Sequence, residues 1–198
     1  MLNEVIENTE RFIASVPKAK RKKYGQFFTN STTAKSMASL FCLYLSKQKI
    51  EILDAGAGTG ILAAAVVQKL YELGYVGKIY VTCYETDELV MPLLEENMAL
   101  CNKLHNVSYT IKRENYVTSQ NFSNSTSFNN EDYQYDYIIG NPPYMKISKD
   151  AAEALAMPEV CYGAPNLYFL FWAMGVHNLK KEQEIVYIIP RSWTSGAY

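Results

Sequence analysis

Residues Ile50-Glu51-Ile52-Leu53-Asp54-Ala55-Gly56-Ala57-Gly58-Thr59-Gly60 run directly into Ile61-Leu62-Ala63-Ala64-Ala65-Val66-Val67. The first part reads as a short apolar strand, the middle as a glycine turn and the last as an Ala-rich helix. Glycines in such a turn let the backbone approach a ligand closely and supply φ values barred to other residues. The unit has the layout of a nucleotide-binding strand–turn–helix. Its glycines alternate as Gly-x-Gly-x-Gly, however, and miss the Gly-x-Gly-x-x-Gly spacing of the dinucleotide fingerprint. Asp54 stands at the turn, where a carboxylate would repel a pyrophosphate, so a neutral or cationic ligand fits better. The plainer alternative is a βα turn that holds nothing.

The pattern continues outward on both sides. Lys78-Ile79-Tyr80-Val81-Thr82-Cys83-Tyr84-Glu85 reads as a second strand ending in an acid. An acid at that place can accept from both hydroxyls of a ribose. Glu85 lies somewhat beyond the usual spacing from the glycines, and the turn Gly74-Tyr75-Val76-Gly77 accounts for the extra length. Without a ligand, Glu85 is simply a solvated strand end. Further on, the apolar run Tyr135 to Ile139 predicts a buried strand closed by Asn141-Pro142-Pro143-Tyr144. Two consecutive prolines fix φ and carry no N–H, which makes the turn rigid. It holds the Asn141 side chain and the Pro142 carbonyl as two acceptors facing one point, with the Tyr144 ring beside them. A planar amine suits that arrangement, donating two hydrogen bonds while its ring stacks. An ordinary Pro-rich turn is the alternative.

Around these strands the sequence predicts helices over 2–15, 31–46, 87–104 and 166–179, a third strand within 106–116 and a fifth over 184–189. Residues 117–134, rich in Ser and Asn, predict a mobile loop. Residues 145–165 predict a long loop after the Pro-Pro turn, of the kind that often contacts substrate. Helix and strand alternate, as a mostly parallel, doubly wound α/β sheet requires. The length of 198 residues suits a single domain with a sizeable core.

Composition is ordinary for a globular chain, 48% apolar and 20% charged, and the formal net charge of −1 gives no global sign of nucleic-acid binding. One local patch is basic: Lys18, Lys20, Arg21, Lys22 and Lys23 are five cations in six positions. Phosphate contacts and a solvated arm are both open readings of it. The four cysteines Cys42, Cys83, Cys101 and Cys161 show no Cys-x-x-Cys pairing, and His105 and His177 are isolated. Reduced, mostly buried thiols in a cytoplasmic protein without a metal site are expected. No apolar run is long enough to cross a membrane.

Taken together, these motifs resemble the S-adenosylmethionine-dependent methyltransferases, and most closely the DNA adenine-N6 methyltransferases of restriction–modification systems whose catalytic motif follows the cofactor motifs. The resemblance implies a Rossmann-like methyltransferase fold, with 1–22 as an N-terminal helix and basic arm and 23–198 as the catalytic domain. It implies S-adenosylmethionine as cofactor, held by Asp54, Ala55, Gly56, Gly58, Gly60 and Glu85, with Asn141 bordering it. Lys23-Tyr24-Gly25-Gln26-Phe27-Phe28-Thr29-Asn30 resembles the family's N-terminal cofactor motif and adds Tyr24, Phe28 and Thr29; Asn30 stands where proline is usual. Asn115-Tyr116 aligns with the family's Asp-Phe pair, whose acid receives the amine of the cofactor's adenine. An Asn oxygen can also accept from an amine, and Glu114 is the fallback.

The resemblance assigns Asn141, Pro142, Pro143 and Tyr144 to catalysis on the exocyclic amine of an adenine. That amine is a poor nucleophile because its lone pair is delocalised. The base must leave the stack, at a cost of a few kcal/mol. Asn141 and Pro142 would accept the amine protons and Tyr144 would stack on the base. DNA is the implied partner, through Tyr144, the 145–165 loop and the Lys18–Lys23 arm, along with a possible restriction–modification partner subunit. The family continues past its fifth strand with two more strands and a target-recognition domain, so the sequence is expected to be the front part of a longer enzyme. Two other readings stand beside this one. The first is methylation of a glutamine amide in a protein release factor, whose family also carries Asn-Pro-Pro-Tyr. The second is a non-catalytic cofactor-binding or assembly subunit of a restriction–modification complex.

Overall fold

Strand β1 (Lys49–Ala55) pairs in parallel on both edges, with β2 (Lys78–Tyr84) on one side and β4 (Tyr135–Gly140) on the other. Strands β3 (Val107–Lys112) and β5 (Leu179–Tyr187) extend the two sides, giving a parallel sheet of order β3-β2-β1-β4-β5. This arrangement comes from a computed structural model, which describes residues 1–16, 29–120, 122, 135–161, 163 and 165–191. Parallel neighbours need crossover connections. Helix α3 (Ile61–Glu72) makes the first, α4 (Met91–Asn102) the second and α6 (Leu167–Asn178) the last. Helices α1 (Leu2–Ser15) and α2 (Ser31–Leu40) precede the sheet, and the short α5 (Ala152–Ala156) lies between β4 and α6.

Side chains alternate across each strand, and both faces of this sheet are covered. Ile50, Ile52, Tyr137 and Ile139 join the core shared with α1 to α4. Leu53, Ala55 and Ile138 join a second core with Leu170, Phe171 and Met174 of α6. All six residues of β4 are buried, which is why its sequence shows no alternation, with Asp136 as its one charged residue. Ala63, Ala64 and Ala65 are buried in α3, where short side chains let the helix lie close to the sheet. Two of the cysteines, Cys83 and Cys101, sit inside the first core, and burial pushes both thiols well up. No described helix is long and apolar enough to cross a membrane.

Several boundaries differ from the sequence expectation, each for a local reason. Helix α2 stops at Leu40 instead of running to residue 46, because Phe41 turns extended and packs edge-on against Tyr137 at 5.3 Å. The backbone beyond is satisfied by strand side chains: Cys42 N–H donates to Glu184 at 2.8 Å and Tyr44 N–H to the Tyr137 hydroxyl at 2.8 Å. Helix α4 begins at Met91, since Asp87 to Val90 form a turn in which the Asp87 carboxylate accepts Leu89 N–H. The third strand ends at Lys112. Strand β5 starts early, at Leu179, but Glu182 takes a φ of 62° and regular pairing with β4 resumes only at Glu184. The stretch 145–165 is not a plain loop. It contains α5 and a 3₁₀ turn at Pro158–Val160, and its ends are drawn together by Ile147 N–H on Pro165 O and Leu167 N–H on Met145 O. Most of 117–134, expected as a mobile loop, lies outside the described residues.

At the amino-terminal end of the sheet, buried Asp136 accepts from Lys47 at 2.6 Å, Lys180 at 3.1 Å and Glu51 N–H at 2.7 Å. Burial alone would raise this carboxyl, but those donors outweigh it and hold it below the ordinary aspartate value of 3.8. A lowered folded-state pKa contributes stability that is present above 3.8 and lost as pH falls through the lowered value. We expect Asp136→Asn to cost about 1–3 kcal/mol at neutral pH. The gap to the unmutated protein should narrow as pH falls below 3.8 and close once Asp136 is protonated in the folded state as well. Urea unfolding at stepped pH measures this, and a gap unchanged at low pH would refute the assignment.

Candidate active site

The chain leaves β1 for β2 on one side, then returns across the sheet to β4 on the other. In open parallel sheets this reversal of strand order leaves a crevice at the carboxyl ends of the strands. Here the crevice is a cleft of about 500 Å³, bordered by the loops after β1, β2, β3 and β4.

The glycine loop forms its base. Gly56, Gly58 and Gly60 have φ of 71°, 54° and 76°, the left-handed region that favours glycine. At Gly60 a Cβ would also meet Met98 Cε at 2.7 Å and Leu94 Cδ1 at 2.8 Å, so those two side-chain ends would have to shift. Gly56, Ala57, Gly58 and Thr59 line the cleft, whereas Ala55 is buried within β1 behind them. Asp54 is also buried, and its Oδ2 accepts Ala63 N–H at 3.1 Å from the first turn of α3. Its Oδ1 makes no hydrogen bond among the described residues. Burial pushes the Asp54 carboxyl well above the usual carboxylate range, partly offset by the Ala63 amide, and nearby Glu85 pushes it the same way.

Glu85 sits at the tip of β2 and fixes the loop. Its Oε2 accepts Gly58 N–H at 2.8 Å, and its Oε1 accepts Thr86 and Asp87 N–H at 2.7 and 2.8 Å. Thr59 is braced from outside the cleft. Its carbonyl accepts Asn97 Nδ2 at 2.8 Å and its hydroxyl bonds Thr9 of α1 at 3.1 Å. Nothing in the local sequence signals this brace.

Asn141 lies across the cleft at the tip of β4. Its Nδ2 donates to Thr29 at 3.2 Å and its Oδ1 accepts the Tyr144 hydroxyl at 2.6 Å. That hydroxyl is also 2.9 Å from Ile188 O, so one proton is shared between two acceptors. Burial pushes the Tyr144 hydroxyl up to about 12. The Tyr144 ring meets Tyr168 edge-on at 6.1 Å and turns its polar end back on its own turn. Pro143 lines the cleft beside Asn141, while Pro142 is buried.

Asn115 and Tyr116 close the far wall. Asn115 Oδ1 accepts Val117 and Thr118 N–H at 3.0 and 3.2 Å, and its Nδ2 donates to Glu153 of α5 at 2.8 Å. The Tyr116 ring is buried against Tyr84 and Phe171 at 5.1 and 5.4 Å. Its hydroxyl, pushed well up by burial, accepts from Asn178 at 2.9 Å. Thr29 also lines the cleft, and Asn30 caps α2 by accepting Thr33 N–H at 2.8 Å, which accounts for Asn where proline is usual. Tyr24, Phe28 and the Lys18–Lys23 arm lie outside the described residues. The structure thus brings Thr29, Gly56, Gly58, Glu85, Asn115, Tyr116, Asn141 and Pro143 to one cleft, with Glu114 at its edge. Glu153, Phe171 and Asp87 also line it; Glu153 falls in the 145–165 stretch expected to contact substrate, but none of the three is singled out as a site residue by the sequence.

The charge of the lining limits what it can hold. Glu85, Asp87, Glu114 and Glu153 face it, and no lysine or arginine is among its described residues. A phosphate or pyrophosphate would find only repulsion from these side chains. A hydroxyl-bearing or cationic ligand with an aromatic ring would find acceptors and buried ring edges.

Comparison with known proteins agrees with this geometry. A family model described as Eco57I restriction-modification methylase matches residues 33–198. The chain is 35% identical over 182 residues to the Type II methyltransferase M.PstI of Providencia stuartii, covering 90% of this chain and 35% of that protein. It is 34% identical over 142 residues to the release factor glutamine methyltransferase of Fusobacterium nucleatum subsp. nucleatum, covering 71% of this chain and 34% of that protein. The chain thus spans about a third of the length of these relatives. Among solved structures, the type I restriction-modification system methyltransferase subunit from Streptococcus thermophilus superposes with a TM-score of 0.62 at 20% identity, over 84% of this chain and 35% of that one.

The brace on Thr59 yields a test independent of ligand. Asn97→Ala leaves a buried carbonyl without its donor, which costs about 1–3 kcal/mol. We expect a drop of that size in urea unfolding, with the Gly56–Gly60 amides exchanging with deuterium faster than those of β4. Uniform change across both segments would show that Asn97 supports the fold in general and not the loop.

Proposed function

The chain belongs to the Eco57I restriction-modification methylase family, and on that premise we propose that it carries the transfer chemistry of a DNA modification enzyme. In this reading the methyl group of S-adenosylmethionine moves to the N6 amine of an adenine turned out of the duplex. The observation that carries the reading is the juxtaposition, around one cleft, of the glycine loop, Glu85 and Asn141, on the tips of β1, β2 and β4. The lining suits that cofactor: among its described residues it offers carboxylates and buried rings and no lysine or arginine. Gly56 to Thr59 and Glu85 would hold the cofactor, the glycine loop by close backbone approach and Glu85 through one ribose hydroxyl at Oε2, since its Oε1 is taken by the Thr86 and Asp87 amides. When bound, the cofactor supplies an electrophilic methyl group on a positively charged sulfur.

The residues on the other wall act on the substrate amine. Asn141 Oδ1 would accept one amine proton and the Pro142 carbonyl the other, which localises the nitrogen lone pair for attack. In the structure the Tyr144 hydroxyl occupies Asn141 Oδ1. An entering amine therefore replaces one O–H donor by an N–H donor, and the displaced Tyr144 ring becomes available to stack on the base, an interaction worth roughly 1–3 kcal/mol. Positioning and fixed dipoles provide the acceleration. The 145–165 segment and the Lys18–Lys23 arm are the proposed DNA contacts, and a restriction–modification partner subunit remains part of the reading.

A second reading has a specific observation behind it, the 34% identity to a release factor glutamine methyltransferase. A side-chain amide nitrogen is as poor a nucleophile as an adenine amine, and the same two acceptors serve both. One experiment separates the two. Nucleoside and peptide mass spectrometry would be run on a host lacking its own adenine methylation, expressing the unmutated chain or Asn141→Ala. N6-methyladenine that depends on Asn141 supports DNA as substrate, and methylated glutamine without it supports the second reading. We expect Asn141→Ala to lower transfer by at least about 100-fold, while cofactor affinity changes little. Loss of cofactor binding instead would remove Asn141 from its assigned role.

A further inference from the structure

We infer that Glu153, and not Asn115, accepts the exocyclic amine of the cofactor's adenine. The inference rests on the cofactor reading given above and adds to it a residue that selects the base. Asn115 occupies the position where the sequence motif puts that acceptor, but its oxygen is committed. Both lone pairs of Oδ1 are used by the N–H groups of Val117 and Thr118, which build the turn after β3. What Asn115 has left is its amide nitrogen, and that donates to Glu153 Oε1 at 2.8 Å. The acceptor at this wall has thus moved one side chain further on. Glu153 Oε2 makes no hydrogen bond among the described residues, and Glu153 lines the cleft with Tyr116 and Phe171. A carboxylate only accepts, so what it needs is an N–H donor, and adenine N6 offers one beside a ring that suits those aromatic neighbours.

The position of Glu153 is fixed from behind. Ala154 and Met157 are buried, and the segment that carries them is closed at both ends by the backbone bonds of Met145 and Ile147. The other acids of the cleft are worse placed. Glu85 gives three acceptor positions to backbone amides and keeps only one on Oε2, which the reading above assigns to the ribose, Asp87 caps its own turn, and Glu114 is exposed.

The test measures binding, not turnover. Dissociation constants of S-adenosylhomocysteine and of S-inosylhomocysteine, which carries a 6-oxo group in place of the amine, would be measured by calorimetry for the full chain, for Glu153→Gln and for Glu114→Gln. Glutamine can still accept from Asn115 with its oxygen while turning an N–H towards the 6-oxo group. The unmutated chain should prefer the adenosyl ligand by roughly ten-fold or more, as expected for a charge-assisted hydrogen bond. Glu153→Gln should reduce or invert that preference by a similar factor, with Glu114→Gln unchanged. Equal preference in the unmutated chain and Glu153→Gln, or a shift confined to Glu114→Gln, would overturn the inference. Failure of the unmutated chain to bind either ligand would instead remove the cofactor reading on which it rests.

Discussion

The cleft depends on β1 being paired on both edges. Its register sets Asp54 level with Cys83 of β2 and Ile139 of β4. With three strand ends aligned, whatever follows them must emerge at one level. The glycine loop, Glu85 and Asn141 are the residues that follow. Burial on both faces pins that register, because a slip by one residue would exchange the two cores and put Asp54 and Leu53 on the wrong sides.

The two walls of the cleft are built differently. The wall bearing the glycine loop is held by many short polar ties. Glu85 alone engages three amides, and Thr59 is bonded to both α1 and α4. Such a loop resists deformation, which suits a site that must receive a ligand without reorganising. The wall bearing Asn141 includes a contact that can exchange. The Tyr144 hydroxyl is shared between Asn141 and Ile188, so leaving Asn141 still leaves it an acceptor.

The parts that could be read in the sequence are those fixed by neighbours along the chain. The glycine turn, the acid at the tip of β2 and the Pro-Pro turn each declare themselves within a few residues, and their strands and crossover helices follow from periodicity. What could not be read depends on residues far apart. Thr59 is held by Thr9 and Asn97, which lie 50 and 38 positions away. The early end of α2 depends on the ring and hydroxyl of Tyr137, nearly a hundred residues downstream. Glu153 sits in a stretch that the sequence suggests is a loop, and its contact with the motif position shows only in the fold, where Asn115 turns its nitrogen towards it. The motif position was legible, but which atom of it faces the cleft was not.

The distribution of sulfur has a practical consequence. Cys83 and Cys101 are sealed in the first core, where the Cys83 thiol lies 3.7 Å from Met98 sulfur and neither gives up its proton readily. Cys161 is half-covered and its thiol is likewise held protonated by burial. Cys42 alone among the four is exposed, just past α2 and outside the cleft lining. Its backbone is tied to both β4 and β5. Mild thiol-directed labelling would therefore place a single fluorophore on a stiff part of the scaffold, giving a reporter of tumbling and association that leaves the chemistry of the cleft untouched.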